Sequence, residues 1–117
     1  MEHQEPLVLA QAVERLGLTV VASCDCLDVP VTGGLATDLL SYAMANGKRG
    51  DLWITIQSHP NIVAVAELAG LCGIVVAGGI APEPDTVRRA EEEGICLMTS
   101  QKSTFCLAGE LYQLGVR

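Results

Sequence analysis

The sequence predicts an α/β domain of three layers, with a mainly parallel sheet of about four to five strands and helices on both faces. Short apolar segments alternate with helical segments four times, and the strand segments are continuously apolar, as in a buried parallel sheet. Half of the 117 residues are apolar, yet only four of the residues are Trp, Tyr or Phe. A core of Val, Ile, Leu and Ala lets helices lie close to a sheet. The length fits a single domain, residues 1–117.

The first helix is predicted to begin at Pro6 and to end at Gly17, because proline is favoured in the first turn and glycine just after the last. Its apolar face has a spacing of three: Leu7, Ala10, Val13 and Leu16. Residues 18–23 follow as a buried strand rich in β-branched side chains. The next segment, 28–34, contains proline and glycine and is predicted to be turn and sheet-edge material.

The second helix is predicted over residues 37–46, with Thr37 or Asp38 near its N-cap and Gly47 at its end. The remaining elements follow from the same rules of apolar runs, caps and terminating glycines. They are a strand at 52–56, a helix at 61–69, a strand at 74–77, a helix at 85–93, a strand at 95–98 and a helix at 104–114.

The helix at 61–69, with the sequence NIVAVAELA, is apolar on almost every side. A helix that covers a sheet needs only one apolar stripe, so the rest of this surface requires another cover. We expect a homodimer to provide it, with Leu39, Leu40 and Met44 adding to the interface. The alternative is that neighbouring helices of the same chain shield it.

The chain carries 14 acidic and 7 basic residues, a formal net charge of −7. Such a surface is repelled by phosphate backbones, so we expect neither nucleic acid nor an anionic membrane as a partner. A small anion remains possible as a ligand, because unpaired backbone amides can bind it.

The start of the sequence is polar and acidic, without the features of a signal peptide. The apolar stretch 61–82 contains four glycines and is better explained by a helix, a turn and a strand than by a membrane span.

Five cysteines are present, and this odd count argues against a disulfide framework. Three of them lie in apolar surroundings and are interpreted as core residues in a reducing cytoplasm: Cys72, Cys96 and Cys106. Cys24 and Cys26 flank Asp25 and, with His59, could hold a soft metal or act as reactive thiols. No second cysteine pair completes such a site, so metal or thiol chemistry is a minor alternative and no cofactor is expected.

Ligands of open parallel sheets gather where the strands end. The loops after the four predicted strands are polar, and we expect them to meet at one edge of the sheet. The candidate ligand-binding residues are Gln57, Ser58, His59, Asn61, Gly78, Gly79, Thr99 and Ser103. Backbone amides at the helix starts and at the glycines, hydroxyl groups, and the charge of Lys102 would bind an anion. The alternative is that these residues only cap helices and turn the chain.

Nucleotide-binding motifs are absent from the sequence. Gly73 and Gly78 have the spacing of a P-loop, but Gly79 and Ile80 stand where lysine and serine or threonine are required. No G-x-G-x-x-G follows the first strand. His59 lacks a clear nucleophile or orienting acid; Asp25 would serve only if the first two loops were neighbours. We therefore expect no catalytic activity.

Residues 31–116 resemble the DRTGG domain family. The resemblance rests on Thr32-Gly33-Gly34 with the following DLLS, on WITIQ with His59 and Asn61, on Ala77-Gly78-Gly79, and on Met98-Thr99 with the later Thr104-Phe105. The pentapeptide that gives the family its name is not present, and Asp28 with Thr32-Gly33-Gly34 is the nearest approach to it.

The DRTGG family is similar in fold to the N-terminal domain of bacterial HPr kinase/phosphorylase, and its members occur beside CBS domains and in phosphotransacetylases. The resemblance implies an accessory α/β domain that associates and binds a regulatory ligand, without kinase activity. Our leading hypothesis is a non-catalytic, cytoplasmic, homodimeric domain that senses a small anionic or nucleotide ligand. The alternatives are an interaction module that docks on a larger enzyme, and a small enzyme that uses Cys24, Cys26 or His59.

Overall fold

The computed structural model describes residues 6–117, apart from the side chain of Cys24. Within this range the main sheet has five strands in the order β2-β7-β6-β5-β4, and a two-stranded ribbon pairs β1 with β3. The strands are β1 (Leu7–Val8), β2 (Thr19–Ala22), β3 (Pro30–Val31), β4 (Gly33–Ala36), β5 (Asp51–Thr55), β6 (Gly73–Val76) and β7 (Leu97–Thr99). The helices are α1 (Leu9–Leu16), α2 (Leu40–Asn46), α3 (Asn61–Ala69), α4 (Pro84–Glu93) and α5 (Thr104–Gln113). The predicted three-layer α/β class is confirmed.

The two faces of the sheet are covered by different helices because side chains alternate along each strand. On one face Leu52 and Ile54 of β5 pack against side chains of α1 and α5. On the other face Trp53 is fully buried among side chains of α2, α3 and α4. Trp53 also donates a hydrogen bond from Nε1 to the carbonyl oxygen of Thr37 at 2.9 Å, so its polar group is satisfied in the core.

The strands β4, β5, β6 and β7 run parallel, but β2 is antiparallel to β7. The segment between β2 and β4 contains a 3₁₀ turn at Cys24–Cys26 and β3 but no crossover helix. Without a crossover helix the chain does not cross back along the sheet, so β2 ends at the side of the sheet where the parallel strands, including β4, begin. The segment 28–34, predicted as turn and edge, contains β3 and the first two residues of β4, which is an edge strand of the main sheet.

The first helix begins later than predicted, because Leu7 pairs with Val31 in the ribbon instead of entering the helix. Its fully buried residues are Leu9, Ala12 and Leu16. Of the predicted apolar face, Leu16 and Val13 pack in the core from the helix and Leu7 packs there from β1, whereas Ala10 is exposed. Gly17 ends the helix in the left-handed conformation, as predicted. The second helix also begins later, at Leu40.

The apolar helix α3 is covered within one chain. Ile62, Val63, Val65 and Ala66 are buried, and α2 and α4 pack on either side of the helix. The alternative of shielding by neighbouring helices is therefore what the structure contains for these four residues, while Leu68 on the same helix is 73% exposed. The homodimer stays a prediction. Of the three side chains expected to join that interface, Leu40 packs against the core, while Leu39 and Met44 are exposed.

None of the helices in residues 6–117 is both long and apolar enough to cross a membrane. The stretch 61–82 is α3, a turn and β6, as expected.

Cys96 is buried and Cys72 half-buried, but the prediction that Cys106 is a core residue is wrong. Cys106 is exposed on α5 and donates a hydrogen bond from Sγ to Glu110 Oε2 at 3.4 Å.

Candidate functional site

Three polar segments lie at the edge where the parallel strands end, and we call them together the carboxyl rim: residues 56–61 after β5, 77–83 after β6 and 99–103 at the end of β7. The eight candidate residues belong to these segments: Gln57, Ser58, His59, Asn61, Gly78, Gly79, Thr99 and Ser103. His59, Asn61, Gly78, Gly79 and Ser103 are exposed, while the other three are half-buried.

Backbone hydrogen bonds join the three segments of the carboxyl rim. Gly78 N–H donates to Lys102 O at 2.8 Å, and Gly79 N–H donates to Ser100 O at 2.9 Å. Ser58 O accepts from Thr86 Oγ1 at 2.6 Å and from Glu83 N–H at 3.1 Å. The rim is therefore one connected surface whose loops hold each other in position.

The first backbone amides of α3 already have partners inside the chain. Asn61 N–H donates to His59 Nδ1 at 3.1 Å, Ile62 N–H donates to His59 O at 3.1 Å, and Val63 N–H donates to Pro60 O at 3.0 Å. The amides of Gly78 and Gly79 are also engaged. The expectation that these particular amides bind an anion is therefore wrong in the geometry observed, because each N–H group has a single proton to donate.

His59 is a capping residue of α3 as well as an exposed side chain. Since Nδ1 accepts the Asn61 N–H, the proton of a neutral His59 ring lies on Nε2. The Nε2–H group is left as a donor on the exposed part of the ring. His59 can therefore offer one directed hydrogen bond to a molecule on the rim.

The charge of Lys102 does not reach the carboxyl rim. Its Nζ donates to Glu110 Oε1 at 2.9 Å and to Leu16 O at 3.2 Å, toward α5 and α1. Ser103 Oγ accepts from Cys106 N–H at 3.1 Å and so caps α5. The sequence correctly indicated a cap at Ser103, but it could not show that Lys102 turns away.

Asp38 organises the rim, and sequence reasoning assigned it a different role. Instead of capping α2, its Oδ1 accepts from Thr55 Oγ1 and from Ile56 N–H, both at 2.9 Å. Gln57 Nε2 donates to Asp38 O at 2.9 Å. Thr37 Oγ1 accepts from Leu39 N–H at 3.2 Å, but the N-cap of α2 is Leu39 and no side chain caps the helix. The prediction of Thr37 or Asp38 near the N-cap is therefore wrong.

Exposed apolar side chains lie on the carboxyl rim, at Ile56 and Ile80, and outside its three segments, at Leu39 and Phe105. Of these, sequence reasoning had indicated only Leu39, as part of an interface. Leu39 is 66% exposed and Phe105, at the start of α5, is 89% exposed. Ile56 and Ile80 are exposed near Gly78, since a Cβ atom at Gly78 would lie about 4 Å from both side chains (3.9 and 4.0 Å). Gly78, which has no side chain, thus lies next to two exposed isoleucines.

The loop that contains Cys24, Asp25 and Cys26 lies at the opposite edge of the sheet. Because β2 is antiparallel, it ends beside the start of β7, where Ser23 Oγ donates to Ala90 O at 2.9 Å and Cys26 Sγ donates to Gly94 O at 3.3 Å. The expectation that four loops meet at one edge is correct for three of them and wrong for this one. Asp25 and Cys26 therefore share no site with His59.

The described thiols lack the features of a reactive cysteine. Burial raises the pKa of Cys26, and the neighbouring Asp25 raises it further. Burial raises the pKa of Cys72 to about 12. A hydrogen bond to Glu110 raises the pKa of Cys106. A protonated thiol is a poor nucleophile and metal ligand, and within the described residues no group of three His, Cys, Asp or Glu side chains is placed to hold a metal ion. The side chain of Cys24 lies outside the described residues.

Among solved structures, the chain is similar to the CBS and DRTGG domains of the regulatory region of Clostridium perfringens pyrophosphatase, in complex with its activator diadenosine tetraphosphate. The TM-score is 0.67, the sequence identity is 14%, and the match covers 97% of this chain and 52% of the pyrophosphatase chain. The chain thus spans about half the length of that structure. At this identity the likeness shows a shared fold. No family model and no curated protein matches the chain.

Proposed function

We propose that this chain is a non-catalytic regulatory domain of the DRTGG type that senses a small anionic or nucleotide ligand in the cytoplasm. The observation that carries the proposal is the connected carboxyl rim: Gly78 and Gly79 join the loop after β6 to the loop after β7, and Glu83 N–H joins it to Ser58 O in the loop after β5. The fold is shared with a regulatory region that was solved with a nucleotide activator, which supports a regulatory role of the same kind here.

The ligand would be held by side chains on the rim, because the backbone amides at the start of α3 are engaged. The exposed side chains of Ile56 and Ile80 near Gly78 offer an apolar contact for a group such as a nucleobase. His59 Nε2–H and the side-chain amide of Asn61 would supply directed polar contacts. Gln57, Ser58, Thr99 and Ser103 complete the proposed site as polar neighbours.

The experiment that tests this function is titration of the isotope-labelled chain with AMP and with adenosine, followed by NMR and by thermal unfolding. A ligand present at a hundred times its Kd stabilises the folded state by roughly 2.7 kcal/mol. We expect shift changes centred on His59, Asn61 and Gly78, and loss of binding in the double variant His59→Ala, Asn61→Ala. The matched control is Gln113→Ala, an exposed position at the end of α5.

Binding that is unaffected by the double variant would contradict the site. If neither compound changes the spectrum or the unfolding temperature at millimolar concentration, the proposal of nucleotide sensing at the rim fails.

A second candidate function is a protein interaction module, either a homodimer or a domain that docks on a larger enzyme. It is favoured by the exposed apolar side chains of Leu39 and Phe105, together with those of Ile56 and Ile80 on the carboxyl rim. Exposed apolar patches of this kind mark interaction surfaces. Light scattering over a concentration series tests the homodimer: Leu39→Ser with Phe105→Ser should abolish association, while Leu68→Ser on α3 should preserve it. A monomer at every concentration would contradict the homodimer.

A further inference from the structure

A groove of about 600 Å³ runs beside the edge strand β4, and we call it the β4 groove. Its lining includes Gly33 and Gly34 on the strand, Tyr42 on α2, Lys48 and Arg49 in the turn before β5, and Arg117. In the described sheet β4 pairs with β5 alone, so alternate backbone groups of β4 face away from the sheet. Gly34 is exposed, whereas Gly33 is buried against the side chain of Asp51.

The β4 groove concentrates positive charge on an acidic chain. Three of the seven basic residues line it, although the formal net charge is −7. Arg88 and Lys102, elsewhere on the surface, pair with acidic side chains. Within residues 6–117, Lys48, Arg49 and Arg117 form no ion pair with a carboxylate. Their charges are therefore available to an external anion.

The turn that carries Lys48 and Arg49 is fixed by hydrogen bonds. Asp51 Oδ2 accepts from Lys48 N–H at 2.9 Å, and Lys48 O accepts from Asp51 N–H at 3.0 Å. Thr32 Oγ1 donates to Arg49 O at 3.3 Å. Asp51 is the acidic residue in the lining, but it is buried against Gly33 and engaged with the turn. Its role in the groove is to hold the two cationic residues in place.

Arg117 approaches the groove from the other side. Its guanidinium lies over the ring of Tyr112, 3.9 Å from the ring centre, and donates to Tyr112 O. This stacking restricts the side chain and keeps the guanidinium oriented. Cationic residues held on both sides of an open backbone edge form a site for a ligand with several negative charges.

We propose that the β4 groove binds the phosphate chain of a small molecule, with Lys48, Arg49 and Arg117 as the phosphate-binding residues. Arginine and lysine are the side chains that recognise phosphate oxygens. The exposed ring of Tyr42 lies at the groove and offers a stacking surface when the phosphates belong to a nucleotide. This site is separate from the carboxyl rim and does not depend on the function proposed for it.

Calorimetric titration with inorganic tripolyphosphate and with ATP tests the proposal. In the double variant Lys48→Gln, Arg49→Gln the affinity for tripolyphosphate should fall by about tenfold or more, and Arg117→Gln should weaken it in the same direction. The matched control Arg88→Gln, on α4, should retain wild-type affinity. Raising the salt concentration from about 0.05 M to about 0.5 M should weaken binding, because the contacts are electrostatic.

Two further variants complete the experiment: one distinguishes a nucleotide from inorganic polyphosphate as the ligand, and the other distinguishes the β4 groove from the carboxyl rim. Tyr42→Ala should weaken binding of ATP but not of tripolyphosphate if a nucleotide is the preferred ligand; equal effects on both assign the site to inorganic polyphosphate, which also supports the phosphate-chain proposal. His59→Ala should leave tripolyphosphate binding unchanged. The proposal is overturned if the wild-type chain does not bind tripolyphosphate at millimolar concentration, or if the Lys48, Arg49 variant binds it as tightly as the wild type.

Discussion

Thr55, the last residue of β5, donates a hydrogen bond from Oγ1 at 2.9 Å to Oδ1 of Asp38, which lies two residues beyond the end of the adjacent parallel strand β4. Thr55 is completely buried, and the same carboxylate oxygen accepts the N–H of Ile56. One side chain after β4 thus fixes the point at which β5 leaves the sheet and the rim begins.

Replacing Asp38 by alanine should destabilise the fold by about 2 kcal/mol, because a buried hydroxyl and a backbone N–H lose their acceptor. Denaturant unfolding followed by the fluorescence of Trp53 measures this change. Asp38→Asn keeps an acceptor oxygen and should cost less. The control Asp28→Ala, at an exposed turn position, should stay within about 0.5 kcal/mol of the wild type. Equal stability of Asp38→Ala and the wild type would contradict this role.

Val65→Glu should unfold the chain instead of dissociating an oligomer. Val65 is 6% exposed among the side chains of one subunit, so a carboxylate there would be buried without a partner, at a cost of about 3 kcal/mol or more. Leu68→Glu on the same helix, at a position 73% exposed, should change the free energy of unfolding by less than about 0.5 kcal/mol. A folded, monomeric Val65→Glu variant of wild-type stability would show that α3 is covered differently.

Two glycine substitutions should act in opposite directions. A Cβ atom at Gly33 would collide with Asp51 Oδ1, and Asp51 cannot move freely because it is buried and holds the turn at Lys48; we expect a loss of about 2 kcal/mol. Gly109 lies in α5 with no atom near the position of a Cβ, so Gly109→Ala should stabilise the fold by about 0.5–1 kcal/mol. Thermal unfolding of both variants checks the signs, and a stabilising Gly33→Ala would refute the collision.

The stability of the wild type should fall at alkaline pH because of Cys72. Burial raises the pKa of this thiol from 9.0 to about 12 in the folded chain. Because the pKa of this thiol is higher in the folded chain than in the unfolded chain, its contribution to the free energy of unfolding is fully present below pH 9. That contribution is lost as the pH rises toward about 12. The slope contributed is at most about 1.4 kcal/mol per pH unit. Cys72→Ala should therefore show a flatter curve of unfolding free energy between about pH 9 and 11; parallel curves for the two chains would contradict the shift.

The local features of the fold were predictable because they depend on residues close in the sequence. The residues of α3 were predicted without error, α4 and α5 differ from the prediction by one residue at one end, and β6 is shifted by one residue. Apolar runs, terminating glycines and caps such as Ser103 act over a few residues, so their effect can be read from the chain. For the candidate site, the sequence predicted correctly that the loops after β5, β6 and β7 lie at one edge, because these three strands are parallel.

Other features were not predictable because they depend on contacts between segments far apart in the sequence. These features are the antiparallel direction of β2, the burial of α3 under α2 and α4, the ion pair of Lys102 with Glu110, and the hydrogen bond that engages the Gly78 amide. The role of Asp38 is of the same kind, because its partners Thr55 and Ile56 lie on another strand.

By itself, the sequence determined that this protein is a three-layer α/β domain with an aliphatic core, an acidic surface and polar loops after its strands. Only the tertiary structure decided which of those loops share an edge, which amides remain available, and that three basic residues line one groove beside β4. The physical reason is that periodicity and capping are local, whereas the partner of each strand and each charged group is chosen by the packing of the whole chain.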